Sequence, residues 1–281
     1  MRLLRPWRPA RWRHGPERVP PVLLRRLGGS VRPVGINETA AAGFGAAADV
    51  YERGRPSYPD GVVRLFRDQL GVGPGTTVVD LAAGTGKLTR LLVPTGATVV
   101  AVEPVEAMRA QLVALLPEVE ALDGTAESMP LPDGSARAVV VAQAFHWFDP
   151  EPALAEIARV LEQGGGLGLV WNERDESVPW VAELSTLLDW GERRPYRRDQ
   201  DWAALVAASG LFTPLQHRQL SYQQELDVDT LVERALSTSY IAARPAEQNV
   251  ELADAVRALA DGFPDRFELP YVTDVHWCHR R

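Results

Sequence analysis

The chain is short of what usually marks a secreted, membrane-spanning or metal-centred protein. It has one cysteine, Cys278, so it can form neither an internal disulfide nor a cysteine metal cluster. Its five histidines (His14, His146, His217, His276 and His279) show no H-E-x-x-H spacing, and no metal site is read from them. No apolar run approaches the ~18 residues of a membrane-spanning helix, so no membrane association is expected. Lysine is almost missing: Lys87 stands alone, and arginine supplies the remaining positive charge. What is present is ample apolar material, 46% of 281 residues, enough for one sizeable core.

Charge is unevenly spread. Residues 1–35 hold nine arginines against one acid, Glu17, which puts about +8 there and about −15 on the rest. Prolines at 6, 9, 16, 20 and 21 interrupt any long helix in that stretch. Residues 1–38 are therefore expected to be a basic Arg/Pro/Trp-rich tail, either a disordered extension or the result of a start codon placed too far upstream. A cationic arm for nucleic acid or anionic lipid, and a transit peptide poor in serine, are the rival readings. The acidic body repels a nucleic-acid backbone, so no nucleic-acid partner is expected, and the protein is placed in the cytoplasm.

Residues 39–281 read as one domain. Short β-branched runs at 76–82, 97–104, 136–145 and 167–173, with a briefer one in "VEALDGTAES", alternate with helical segments. These are "GKLTRLLVP", "VEAMRAQLVALLP" and "EPALAEIARVLEQGGG", the last stopped by Gly164–Gly166. Such alternation predicts an α/β, Rossmann-like doubly wound sheet, mostly parallel, with its ligand-binding core over about residues 75–174. Helices are predicted at 179–190, 201–209, 228–243 and 248–261, forming a C-terminal portion on the acceptor side. "LQHRQLSYQQEL" and "RFELPYVTDVHWCHR" are expected to close the sheet edge as an antiparallel pair.

The first strand runs into "DLAAGTGKLTR", a glycine turn that could hold several nucleotides. A phosphate loop needs glycine where Leu81 stands and Ser or Thr where Leu88 stands. A dinucleotide turn needs a third glycine, which Thr89 replaces, and Asp80 at the strand tip would repel a pyrophosphate. S-adenosylmethionine (SAM) has no phosphate and carries an ammonium and a sulfonium, so a carboxylate beside the turn becomes favourable. Glu103 ends the second strand, where an acid can accept both ribose hydroxyls of SAM or of NAD. Glu103 does not discriminate between them; Asp80 does.

Four ordered segments, "VVDLAAGTGKLTRLL", "VVAVEPVEAM", "DGTAESMPLPDGSARAVVVAQAFHWF" and "EIARVLEQGGGLGLVWNE", together resemble a class I SAM-dependent methyltransferase. Within that class the chain is similar to the small-molecule type with an "AFHWF" segment after the fourth strand. The resemblance covers about residues 44–175, with looser matches in "STSY" and the final "YVTDVHWCHR". It implies SAM as cofactor, held by Asp80, Gly84, Gly86, Glu103, Ala126, Glu127 and Gln143, with Tyr51 from "YERGRPSYP" closing over it. It implies a small-molecule methyl acceptor, a carboxylic acid or a hydroxyl compound. Candidate acceptor contacts are Phe145, Trp147, Asn172 and Tyr240, and His146 is the candidate general base, with pocket lining and packing as its other readings. Nicotinamide-dependent oxidoreduction and non-catalytic SAM binding are the alternative functions.

Overall fold

The structure, a computed structural model, describes residues 54–188, 201–238, 241 and 244–281. The basic tail, Tyr51 and Tyr240 lie outside the described residues.

The described chain opens with helix α1 (Asp60–Leu70) and alternates into β1 (Thr77–Leu81), α2 (Thr89–Leu92), β2 (Thr98–Val102), α3 (Glu106–Leu115), β3 (Glu120–Leu122) and β4 (Ala136–Ala142). Helix α4 (Pro150–Val160) then leads into β5 (Leu161–Arg174). The remainder supplies α5 (Pro179–Leu187), α6 (Trp202–Ser209), β6 (Gln216–Leu226), α7 (Val228–Leu236), α8 (Ala246–Leu259) and β7 (Phe267–His279). Seven strands form one sheet in the order β3-β2-β1-β4-β5-β7-β6. The first five are parallel, and β7 runs antiparallel to both β5 and β6. The alternation of the sequence therefore becomes the predicted doubly wound sheet, and the two C-terminal strand segments become its antiparallel edge.

The central strands are apolar on both faces because helices cover both. On one face α1 presents Val62, Phe66 and Leu70 and α3 presents Leu112 to Val78, Ala138 and Val140. On the other, Leu154 and Ile157 of α4 and Val206 of α6 pack on Val79, Val139, Leu167 and Leu169. A third cluster joins α5, α7 and α8 through Leu184, Leu231 and Val256 over Leu226 and Tyr271 of the edge pair.

Two expectations are corrected. The segment "EPALAEIARVLEQGGG" leaves the helix at Val160, and Leu161 already pairs with Ala136 of β4. The glycines do not cap a helix. Gly164 takes φ 73° where the β4–β5 register slips, and the strand continues. A Cβ on Gly166 would lie 2.5 Å from Leu70 Cδ2, and one on Gly168 would lie 2.6 Å from Phe66 Cε1. The glycines let α1 settle against the strand. Lys87, expected in the first helical turn, belongs instead to the turn before α2, which starts at Thr89.

Candidate active site

The site forms at the carboxyl ends of β1, β4 and β5, where open parallel sheets bind ligands. Beyond β1 the chain makes a tight reversal through Ala82 (φ 56°), Gly84 (φ 59°) and Gly86 (φ 86°), with the Gly86 amide donating to the Ala83 carbonyl at 3.0 Å. At the tip of β4, Gln143 also sits in the left-handed region (φ 57°). Ala82 and Gln143 are the only described non-glycine residues with positive φ, and both line one pocket. Such backbone costs about 1–3 kcal/mol per residue and persists where surroundings enforce it. At Gln143 they do: its amide donates to the Val170 carbonyl at 2.8 Å, and its side chain donates from Nε2 to the Asn172 carbonyl at 3.0 Å. Gly84 has open space where a side chain would stand, whereas a Cβ on Gly86 would meet Leu112 Cγ at 3.0 Å. The first glycine leaves room in the pocket; the second lets α3 approach the turn.

Asp80 lines the pocket and is almost wholly buried. Thr89 Oγ1 donates to its Oδ2 at 2.6 Å, while Oδ1 has no hydrogen-bond partner. Burial, and secondarily the nearby Glu103, raise the Asp80 carboxyl to about 7 against the Thr89 hydrogen bond, which pulls it down. A cation delivered to Oδ1 would satisfy what the fold leaves open. Glu103 is also buried. Its Oε2 accepts the Gly84 amide and its Oε1 the Val105 amide, each at 2.8 Å. Burial raises its pKa against those two hydrogen bonds. Each carboxylate oxygen has two acceptor lobes, so Glu103 braces the turn and keeps capacity for further donors.

Arg55, Pro56 and Tyr58 roof the pocket. Their segment is tied down at three points. Arg55 Nη2 donates to the Ser237 carbonyl (3.2 Å), Gln224 Nε2 to the Gly54 carbonyl (3.3 Å), and Asn172 Nδ2 to the Ser57 carbonyl (2.7 Å). Asn172 also accepts from Thr273 Oγ1 at 2.7 Å, so its amide joins roof, β5 and β7. Arg174 and Arg234 complete the wall. Arg234 is buried; its Nε donates to Tyr271 Oη at 3.2 Å, and its Nη1 has no partner. Tyr271 in turn donates to Gln224 Oε1 at 3.3 Å, which fixes the chain of groups behind the guanidinium.

Of the residues singled out from sequence, Asp80, Gly84, Gln143 and Asn172 meet in this pocket. Ala126 is buried in the core beside it, and Glu127 accepts the Asp149 amide at 3.1 Å, holding the start of α4. Phe145 is fully buried, edge-on to Phe148 and Trp202. Trp147 packs partly buried against the same core, and the His146 ring tilts against it at 4.7 Å. Trp171 Nε1 donates to His146 Nδ1 at a long 3.5 Å, and burial depresses the His146 pKa to about 3. Arg55, Thr89 and Arg234 were missed by the sequence reading. Arg234 had a signal: it stands three residues after Leu231 on the buried stripe of α7.

A second cleft of about 680 Å³ opens on the antiparallel side of the sheet, and Arg174 borders both. Trp171 stacks on Trp202 at 5.2 Å along one side of it, and His217, Asp274 and His276 lie on its floor. Burial and the neighbouring His217 hold His276 down to about 4.

Comparison with known proteins settles the family. Residues 79–169 match the family described as a methyltransferase domain. An uncharacterised methyltransferase of Mycobacterium bovis is 44% identical over 235 residues, covering 82% of this chain and 92% of that relative. An uncharacterised methyltransferase-like protein of Schizosaccharomyces pombe is 34% identical over 235 residues, covering 79% of this chain and 90% of that one. The chain belongs to the methyltransferase family. Among solved structures, phosphoethanolamine N-methyltransferase 2 of Haemonchus contortus, in complex with S-adenosylhomocysteine, superposes with a TM-score of 0.52 at 13% identity, over 84% of this chain and 57% of that one. The YcgJ protein of Bacillus subtilis does so with 0.52 at 20% identity, over 79% and 99%. At those identities the likeness concerns the fold alone. Among the described residues no helix of this methyltransferase is long and apolar enough to cross a membrane.

Proposed function

We propose that this methyltransferase uses SAM to methylate a small molecule bearing an acidic group. The observation that carries the cofactor is Asp80: a buried carboxylate with one unpartnered oxygen, beside a glycine turn, in a pocket at the strand tips. A pyrophosphate would be repelled there, which disfavours a nicotinamide cofactor. The residues assigned to SAM are Asp80, Gly84, Gly86, Glu103, Ala126, Glu127 and Gln143, with Tyr51 outside the described residues. Bound there, SAM supplies an already activated methyl on a cationic sulfur. The chain's share is to position the acceptor and exclude water. The segment Arg55–Tyr58 lines the pocket, and Asn172 holds it to β5.

The acidic acceptor is supported by Arg234, which lines the same pocket as Asp80 and whose buried Nη1 lacks a partner. An acceptor carboxylate would supply one. His146 accepts from Trp171 Nε1, and burial holds its pKa near 3, which makes it a weak base, so it is assigned to the wall beside Trp171. A carboxylate acceptor needs no base. Phe145 and Trp147 are assigned to the acceptor side only as supports of that wall; Tyr240, also assigned to the acceptor, lies outside the described residues.

Calorimetry with SAM, S-adenosylhomocysteine and NAD, followed by a screen of carboxylic acids with a labelled methyl donor, tests the reading. SAM should bind and NAD should not; the reverse result would refute it. Arg234→Met should lower kcat/KM for the acid about 10–100-fold with SAM affinity unchanged, the loss of one charge-assisted hydrogen bond. A loss of SAM affinity instead would move Arg234 to the cofactor.

A further inference from the structure

We propose that His217, Asp274 and His276 form a binding site for a divalent transition-metal ion of the Zn²⁺ type, with one coordination position open to the outer cleft. Antiparallel pairing of β6 and β7 assembles the set. The register sets His217 opposite His276 and Gln219 opposite Asp274, so all four side chains share one face of the sheet. One ligand atom from each of the three residues lies within 4.8 Å of the other two. His217 Nε2 is already 2.7 Å from Asp274 Oδ1, and the two imidazoles stack at 4.3 Å between centroids. Around an ion with bonds of about 2.0–2.2 Å, three such ligands stand about 3–3.5 Å apart, which side-chain torsions reach with the strands in place.

Chemistry narrows the ion. Two imidazoles and one carboxylate form an N/O set suited to Zn²⁺ and its neighbours, whereas Ca²⁺ and Mg²⁺ call for oxygen ligands throughout. Three protein ligands leave a fourth position, as in open zinc sites, and here it faces the second cleft. Gln219 Nε2 donates to Asp274 Oδ1 at 3.1 Å and so orients the carboxylate, the outer-shell support that metal ligands commonly have. Asp175, Asp201 and Glu173 line the same cleft and favour a cation in it. A plain cross-strand His–Asp hydrogen bond would account for His217 and Asp274. It does not account for His276, a half-buried imidazole that stacks on His217 at 4.3 Å and meets Trp171 edge-on at 5.8 Å, on the same face as the other two ligands. Chain spacing could not reveal the set, because His217 and His276 meet only through strand pairing.

Full-length protein, stripped with chelator, is titrated with ZnCl₂ by calorimetry and with CoCl₂ by visible absorption. One Zn²⁺ should bind per chain, and Co²⁺ should show the intense bands of a low-symmetry N/O site. His276→Ala and Asp274→Asn should each weaken Zn²⁺ binding by at least about tenfold, and His279→Ala should not. Should His276→Ala fail to fold, the exposed His217→Ala carries the test, with circular dichroism as the check; Zn²⁺ should raise the melting temperature of the unmodified protein and not of this variant. No Zn²⁺ binding, or equal binding by the unmodified protein and the variants, would overturn the proposal.

Discussion

Asp80 shows how a residue can be legible in position and illegible in state. Its place before the glycines marked it as the discriminating acid, but nothing local in sequence shows that Thr89 occupies one oxygen and leaves the other empty. Arg234 was the opposite case. Its place in "VDTLVERAL", three residues after Leu231, marks the buried stripe, but only the fold shows that it lines the pocket with Nη1 unpartnered. Asp80's state has a consequence with a definite sign. Its folded pKa is raised from 3.8 to about 7, so its contribution to ligand-free stability is complete below about 4 and is lost as pH rises through 7. The melting temperature of the unmodified protein, relative to Asp80→Asn, should therefore decline between pH 4 and 7. Cation binding favours the ionised form, so SAM affinity should weaken as pH falls below 7. Calorimetry in buffers of different ionisation enthalpy should record proton release on binding. A pH-independent difference between the two proteins would refute the assignment.

Elements were legible where periodicity was strong. The β-branched runs before and after the glycine turn could be nothing but buried strands, and the C-terminal edge pair appears with the predicted partners. The segment around Gly164–Gly166 misled because glycine both caps helices and admits close neighbours, and only the third dimension separates the two uses. The close approach can be measured. Gly168→Ala would place a Cβ 2.6 Å from the Phe66 ring and should cost about 1–3 kcal/mol through overpacking. In a chain of this size that corresponds to a fall of several degrees in melting temperature. An unchanged melting temperature would mean that α1 shifts freely on the sheet.

At the scale of the whole molecule, the alternation of strand and helix was enough to derive a two-faced sheet, because apolar strands require cover on both sides. The pocket wall was not derivable in this way. It draws on residues 55, 80, 143, 172 and 234, which no local pattern connects. The charge asymmetry of the chain gives a test of its own. Removing residues 1–38 deletes the whole of the segment of about +8 and none of the described residues that line the pocket. Melting temperature and SAM affinity should stay within error of the full chain; loss of soluble fold would show that the tail is part of the structure.

The seating of α1 on Gly166 and Gly168 also bears on timing. The roof of the pocket continues through Pro59 directly into α1, which those two glycines hold against β5. Beyond that end the segment is held by its hydrogen bonds with Gln224, Asn172 and Ser237. Release of a ligand from beneath that segment should therefore depend on those three hydrogen bonds as well as on the groups that touch the ligand.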